Sequence, residues 1–225
     1  MPRNEYQEQL YRLREDILEM SDVVCQRLRR ALEAYETGDE ATAERIVAGD
    51  HEINERYLEL EGDCIGLFAL QQPVAGDLRF IASSFKIITD LERIGDLAVN
   101  LAQYAIDAAE SAVERDRYPD VDVTALGKRT IRLVEDAMNA YATDDMTATH
   151  EIAARDDEID EQCARASRSV VRDLVASDGE ADDAALEAVS RTLLTIRDLE
   201  RVGDHAVNVA ARTLYMIDND DELIY

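Results

Sequence analysis

The segment DLERIGDLAVNLA, residues 90–102, returns as DLERVGDHAVNVA at residues 198–210, identical at 10 of 13 positions with an offset of 108. A fainter echo precedes each copy: Asp50-His51-Glu52-Ile53-Asn54 parallels Asp156-Asp157-Glu158-Ile159-Asp160 at an offset of 106. Two nearly equal offsets for two segments mark a duplicated unit. Working outward, the apolar residues around each copy recur at three- or four-residue steps, which is the period of a helix and not of a strand. Ile87, Leu91, Ile94, Ala98, Leu101 and Ala105 form one such seam, and Leu10, Leu13, Ile17, Met20, Val24, Leu28 and Leu32 form another.

The punctuation divides the chain into six helices, expected over 5–36, 40–70, a third ending near 113, 123–142, 145–177 and 182–218. Gly38 reads as the cap closing the first helix and Asp39 as the cap opening the second. Pro73 suits the first turn of the third helix, and Ser177-Asp178-Gly179 separates the last two. The fold expected is all-α: two tandem three-helix bundles related by internal duplication, over residues 1–113 and 123–225, with a linker at 114–122 containing Pro119.

The 225 residues carry 50 acidic against 24 basic side chains, a formal net charge of −26. Such a surface repels phosphate backbones and shows no basic stripe, so nucleic acid is not an expected partner. The longest run without Asp, Glu, Lys or Arg is Cys64 to Gly76, 13 residues, too short to span a bilayer. The start, MPRNEYQEQL, has no apolar signal core, so the expected location is cytoplasmic. Lysine occurs only at Lys86 and Lys128, and the acidity otherwise resembles that of a halophile's protein working where salt screens self-repulsion. Cys25, Cys64 and Cys163 form no CxxC pair, and they fit neither a disulfide framework nor a thiolate metal site.

Within each repeat, carboxylates stand four residues apart: Glu92 with Asp96, and Glu200 with Asp204. That spacing sets both on one helix face, where like charges repel unless a cation lies between them. Asn100 and Asn208 extend the row by a further turn, and Asp50/Asn54 and Asp156/Asp160 repeat the spacing on the preceding helix. Antiparallel packing would gather two pairs per bundle into an all-oxygen cluster suited to Mg, Ca, Mn or ferric iron. Acidity alone proves nothing: a shuffle of this composition yields about 11 such pairs. The weight comes from recurrence inside a frame that also holds Arg93/Arg201 and Gly95/Gly203. A mid-helix glycine costs about 1 kcal/mol against alanine, so a repeated one signals close approach of a helix or a ligand. The arginines read as partners of nearby carboxylates before they read as an anion site. His205 follows Asp204 but answers to Leu97 in the other half, so it reads as a boundary histidine before a ligand.

This duplicated frame in an all-helical chain resembles the phosphate-uptake regulator family, PhoU. Gln72-Pro73-Val74-Ala75 followed by Asp77-Leu78-Arg79 is similar to the segment opening that family's third helix, although residues 185–187 of the second half read Ala-Leu-Glu. The resemblance implies a cytoplasmic, usually dimeric accessory protein, not an enzyme, that represses phosphate uptake and the phosphate-starvation response. It implies contacts with an ATP-binding cassette phosphate transporter and, in bacteria, a sensor histidine kinase. It further implies divalent or ferric metal ions held by Glu92, Asp96, Glu200 and Asp204, with Asp50, Asn54, Asp156 and Asp160 as partners on the adjacent helix. Asn54 stands where the other half has Asp160, so unequal occupancy of the two sites is expected. A metal-free scaffold or a regulator of a different system is the alternative. A ferritin-like di-iron enzyme is disfavoured, because Ala48, Thr147 and Val202 precede the three histidines by three residues where that chemistry uses glutamate.

Overall fold

The computed structural model describes residues 3–70, 75–110, 121–176 and 183–224. Seven helices occur in them: α1 (Arg3–Thr37), α2 (Glu40–Ala48), α3 (His51–Leu70), α4 (Ala75–Glu110), α5 (Val123–Thr143), α6 (Met146–Ala176) and α7 (Asp183–Asp218). Among the described residues there is no strand. Pro73, the Ser177–Gly179 break and most of the 114–122 linker fall outside them.

The caps follow local chemistry. Gly38 takes the left-handed φ of 70° that ends α1, and its N–H reaches Ala34 O at 2.7 Å. Asp39 then accepts from Thr42 N at 3.1 Å to open α2. Asp122 does the same for α5 through Ala125 N at 2.7 Å.

The helix foreseen over 40–70 is broken at Gly49–Asp50, whereas its counterpart α6 runs unbroken through Asp156. Gly49 weakens the helix locally, and the turn closes with tighter bonds, Asp50 N to Val47 O at 3.4 Å and Glu52 N to Gly49 O at 3.2 Å. Arg27, buried on α1, donates to Gly49 O at 2.8 Å and to Glu52 Oε2 at 3.0 Å, satisfying a carbonyl at the break. The duplication places Leu133 at the equivalent position on α5, and an apolar side chain offers the backbone no such bond.

The first bundle comprises α1, α2–α3 and α4, and the second α5, α6 and α7. They share one continuous hydrophobic core that runs from Tyr6 to Met216. Two contacts join them. On one side α5 lies close on α1: a Cβ at Gly127 would stand 2.6 Å from Leu32 Cδ1. Nearby, the fully buried Tyr141 of α5 bonds Ser84 Oγ of α4 at 2.8 Å and stacks on Phe80 at 6.3 Å. Arg14 of α1 covers both rings at 5.1 and 5.3 Å from their centroids. On the other side α4 packs antiparallel against α7. There Asn100 Nδ2 donates to Asp198 Oδ2 at 3.1 Å, and Asn208 Nδ2 donates to Asp90 Oδ1 at 3.1 Å. The first aspartate and the asparagine of each repeat therefore meet their counterparts in the other repeat, giving the bundles a pseudo-twofold relation.

Candidate metal centre

The eight candidate ligands lie on α3, α4, α6 and α7 or at the α2–α3 break, and the two bundles treat them differently. In the second bundle, α6 lays Asp156 and Asp160 against Asp204 of α7, and one carboxylate oxygen from each lies within 4.8 Å of the other two. A Cβ at Gly203 would fall 2.4 Å from Asp156 Oδ1. The repeated glycine thus serves this half as the gap that seats a carboxylate. Asp156 Oδ1 and Asp160 Oδ1 are both buried and have no hydrogen-bond partner among the described residues. Buried oxygens left in this way cost about 1–3 kcal/mol each or more when charged. Burial pushes the Asp156 carboxyl up to about 7, with Asp160, Asp204, Asp157 and Glu200 adding repulsion. Asp160 and Glu200 are raised for the same reasons, burial first and then neighbouring carboxylates. Beneath them burial, followed by the negative charge of the same group, raises the Cys163 thiol to about 12, so it stays protonated. A hard cation fits this donor set: all ligands are oxygens, two lack partners, and bound charge would relieve their mutual repulsion.

The first bundle is quieter. Burial raises Glu92 and Asp96, and Asp50 adds to both, so these three carboxylates sense one another across the helices. However, Arg93 reaches Glu92 Oε2 at 3.5 Å and Asp96 Oδ2 at 3.6 Å, whereas among the described residues no cation ion-pairs with the carboxylates of the second centre and Arg197 only partly offsets the rise at Glu200. Arg201, its counterpart, turns instead to Asp198 Oδ1 at 3.5 Å. The half-buried side chain of Asn54 makes no hydrogen bond among the described residues. A Cβ at Gly95 would meet Ile53 Cδ1 at 2.8 Å, so a methyl group occupies the gap that Asp156 fills opposite. Gly95→Ala is therefore expected to cost about 1–3 kcal/mol through overpacking, offset by up to about 1 kcal/mol of helix propensity. Thermal denaturation checks this, and a net gain in stability would refute it.

Asn100 and Asn208 do not continue the carboxylate rows. Four residues advance a helix by about 400°, so the row drifts roughly 40° per step and carries them onto the α4–α7 seam. His205 is there too, its Nδ1 at 2.9 Å from Asp90 Oδ1. Tyr104 donates to Asp198 Oδ2 at 2.9 Å, and burial together with that aspartate pushes its hydroxyl up to about 12. Asp90, Asp198 and Tyr104 escaped the sequence reading, although the first two recur in the frame at identical places.

The raised Asp156 has a pH consequence. Its folded value of about 7 exceeds the ordinary 3.8, so folding favours the protonated form. Metal-free protein should lose stability as pH rises from about 4 to about 7, with no further loss from this group above that. Metal needs the ionised form, so affinity should climb over the same window. Melting of chelator-treated protein across that range, beside Asp156→Asn, tests this. The variant should show a flatter slope, and identical slopes would contradict the assignment.

No described helix is long and apolar enough to cross a membrane. Comparison with known proteins agrees with the duplication. The PhoU domain family matches twice, over residues 17–105 and 123–213. A "Phosphate-specific transport system accessory protein PhoU homolog" of Clostridium acetobutylicum is 30% identical over 220 residues, covering 96% of each chain. The crystal structure of PhoU from Pseudomonas aeruginosa superposes with a TM-score of 0.86 at 29% identity, covering 96% of this chain and all of that one. The phosphate transport system regulatory protein PhoU from Streptococcus pneumoniae gives 0.83 at 25% identity, with 96% and 98% covered. The same frame, found twice in the sequence, twice by the family and once as a pseudo-twofold seam between two bundles, makes this chain a member of the PhoU family.

Proposed function

We propose that this protein is a metal-dependent accessory regulator of phosphate transport that restrains phosphate uptake and the phosphate-starvation response through protein contacts. The names borne by its relatives support the association with phosphate transport. The observation that carries the metal dependence is the pair of partnerless buried oxygens on Asp156 and Asp160 beside Asp204. Asp156, Asp160, Glu200 and Asp204 form the stronger site. Asp50, Asn54, Glu92 and Asp96 form a weaker one, where Arg93 competes with the cation. The ions are divalent or ferric, of the iron, Mn, Mg or Ca class. An ATP-binding cassette phosphate transporter is the proposed partner, with a sensor kinase as a second. The protein acts as a cytoplasmic homodimer, and the coat of surplus carboxylates suits high salt.

Deleting the gene should raise phosphate uptake in phosphate-rich medium, and an Asp156→Asn, Asp160→Asn, Asp204→Asn allele should fail to restore restraint. Unchanged uptake on deletion, in both rich and poor medium, would overturn the regulatory reading. Restoration by the triple variant would overturn the metal's part in it.

A further inference from the structure

Away from the carboxylate clusters, a groove between α5 and α6 gathers positive charge. It encloses about 520 Å³ and is lined by Arg129 of α5 and by Arg165, Arg168 and Arg172 of α6, with Gln162 and Ser169 between them. Four guanidinium groups on one groove are unusual in a chain with 50 acidic and 24 basic side chains. Among the described residues no carboxylate ion-pairs with Arg129, Arg168 or Arg172, which leaves their guanidinium groups available to an anion. Of the four, only Arg165 is engaged, with the exposed Glu161 one turn back on α6 at 3.2 Å. Asp122 also lines the groove, but its carboxylate is bound to the Ala125 N–H as the cap of α5. α6 therefore divides its faces: Asp156 and Asp160 turn to α7, while its arginines turn to α5.

The spacing sets the ligand. Arg165, Arg168 and Arg172 stand three and four residues apart on one helical face, spanning about 10 Å along the axis. Arg129 faces them across the groove. A single orthophosphate covers only part of a row of that length, whereas a short chain of phosphates extends along all of it. Guanidinium forks match phosphate oxygens in bidentate pairs, and Gln162 and Ser169 add neutral donors for the bridging oxygens.

We propose that this groove binds a small ligand carrying a chain of two or more phosphate groups, as in a nucleoside triphosphate or a short inorganic polyphosphate. The site is independent of the metal clusters and does not rest on the transport assignment. Isothermal titration of the full chain with ATP, tripolyphosphate, orthophosphate and hexaglutamate tests it. Chelator is included so that metal held by the carboxylates does not bridge to phosphate, and salt is kept where circular dichroism shows a fully helical chain. The expected result is saturable binding of tripolyphosphate, weakened about tenfold or more by Arg168→Gln with Arg172→Gln and unchanged by Arg12→Gln on α1. These exposed replacements keep helix propensity, so folding is not at issue. Equal binding of ATP and tripolyphosphate identifies the phosphate chain as the recognised group, and tighter ATP identifies a nucleotide. Absence of binding, orthophosphate or hexaglutamate binding as tightly as tripolyphosphate, or an equal loss in Arg12→Gln would each overturn the proposal.

Discussion

Gly203→Ala is expected to strip metal from the second bundle while leaving the metal-free protein as stable as before or more so. The new Cβ would lie 2.4 Å from Asp156 Oδ1, closer than real contacts allow, so the carboxylate must swing out of the cluster. Displacing it removes one of three convergent oxygens and relieves repulsion from Asp160 and Asp204. The substitution also removes a mid-helix glycine, worth about 1 kcal/mol in favour of the folded state. Metal affinity and apo stability should therefore move in opposite directions, with affinity falling tenfold or more, a scale on which each factor of ten is about 1.4 kcal/mol. A residue that served packing alone would lower stability and spare metal. Calorimetric titration with Mn, paired with thermal melts of chelator-treated protein, separates the two, and unchanged affinity would refute this role for Gly203.

The second large effect concerns how the bundles are held together. Tyr141→Ala should cost about 3–5 kcal/mol, because it empties a fully buried aromatic site. It also leaves Ser84 Oγ without its partner and removes one of the two rings under Arg14. For a chain of this length the melting temperature should fall on the order of 10 °C. Tyr141→Phe keeps the ring and loses only the hydrogen bond, so about 1 kcal/mol is expected there. Because the core is continuous across both bundles, the wild type should melt in one transition whether followed by helix content or by tyrosine absorbance. Two separated transitions, or a Tyr141→Ala cost no larger than that of Tyr141→Phe, would show that the bundles are merely tethered.

Much of this architecture was legible because duplication and helical period are local signals that survive without knowledge of contacts. The caps at Gly38 and Asp39 were equally local. What escaped was relational. The carbonyl at the Gly49 break is satisfied by Arg27 reaching across from α1, and no window around residue 49 contains that arginine. Asp90 and Asp198 looked like the frame's leading edge, yet each is bound by an asparagine from the opposite bundle. Asn100 and Asn208 were assigned to the carboxylate rows by counting fours, and the helix's 3.6-residue turn rotated them away. Gly95 and Gly203 were correctly read as points of close approach. Only the structure shows that one admits an isoleucine and the other an aspartate. The inequality expected from Asn54 has a second physical basis in Arg93, which ion-pairs with both Glu92 and Asp96, whereas no described cation does so with Asp156, Asp160, Glu200 or Asp204.

The central claim, that duplicated carboxylates hold metal and do so unequally, is tested most directly by metal analysis of untagged protein purified at native salt with no metal added. The account predicts on the order of one ion per chain or more, mostly lost in Asp156→Asn with Asp204→Asn and mostly retained in Glu92→Gln with Asp96→Gln. Protein free of metal, or metal content equal in the two double variants, would contradict it.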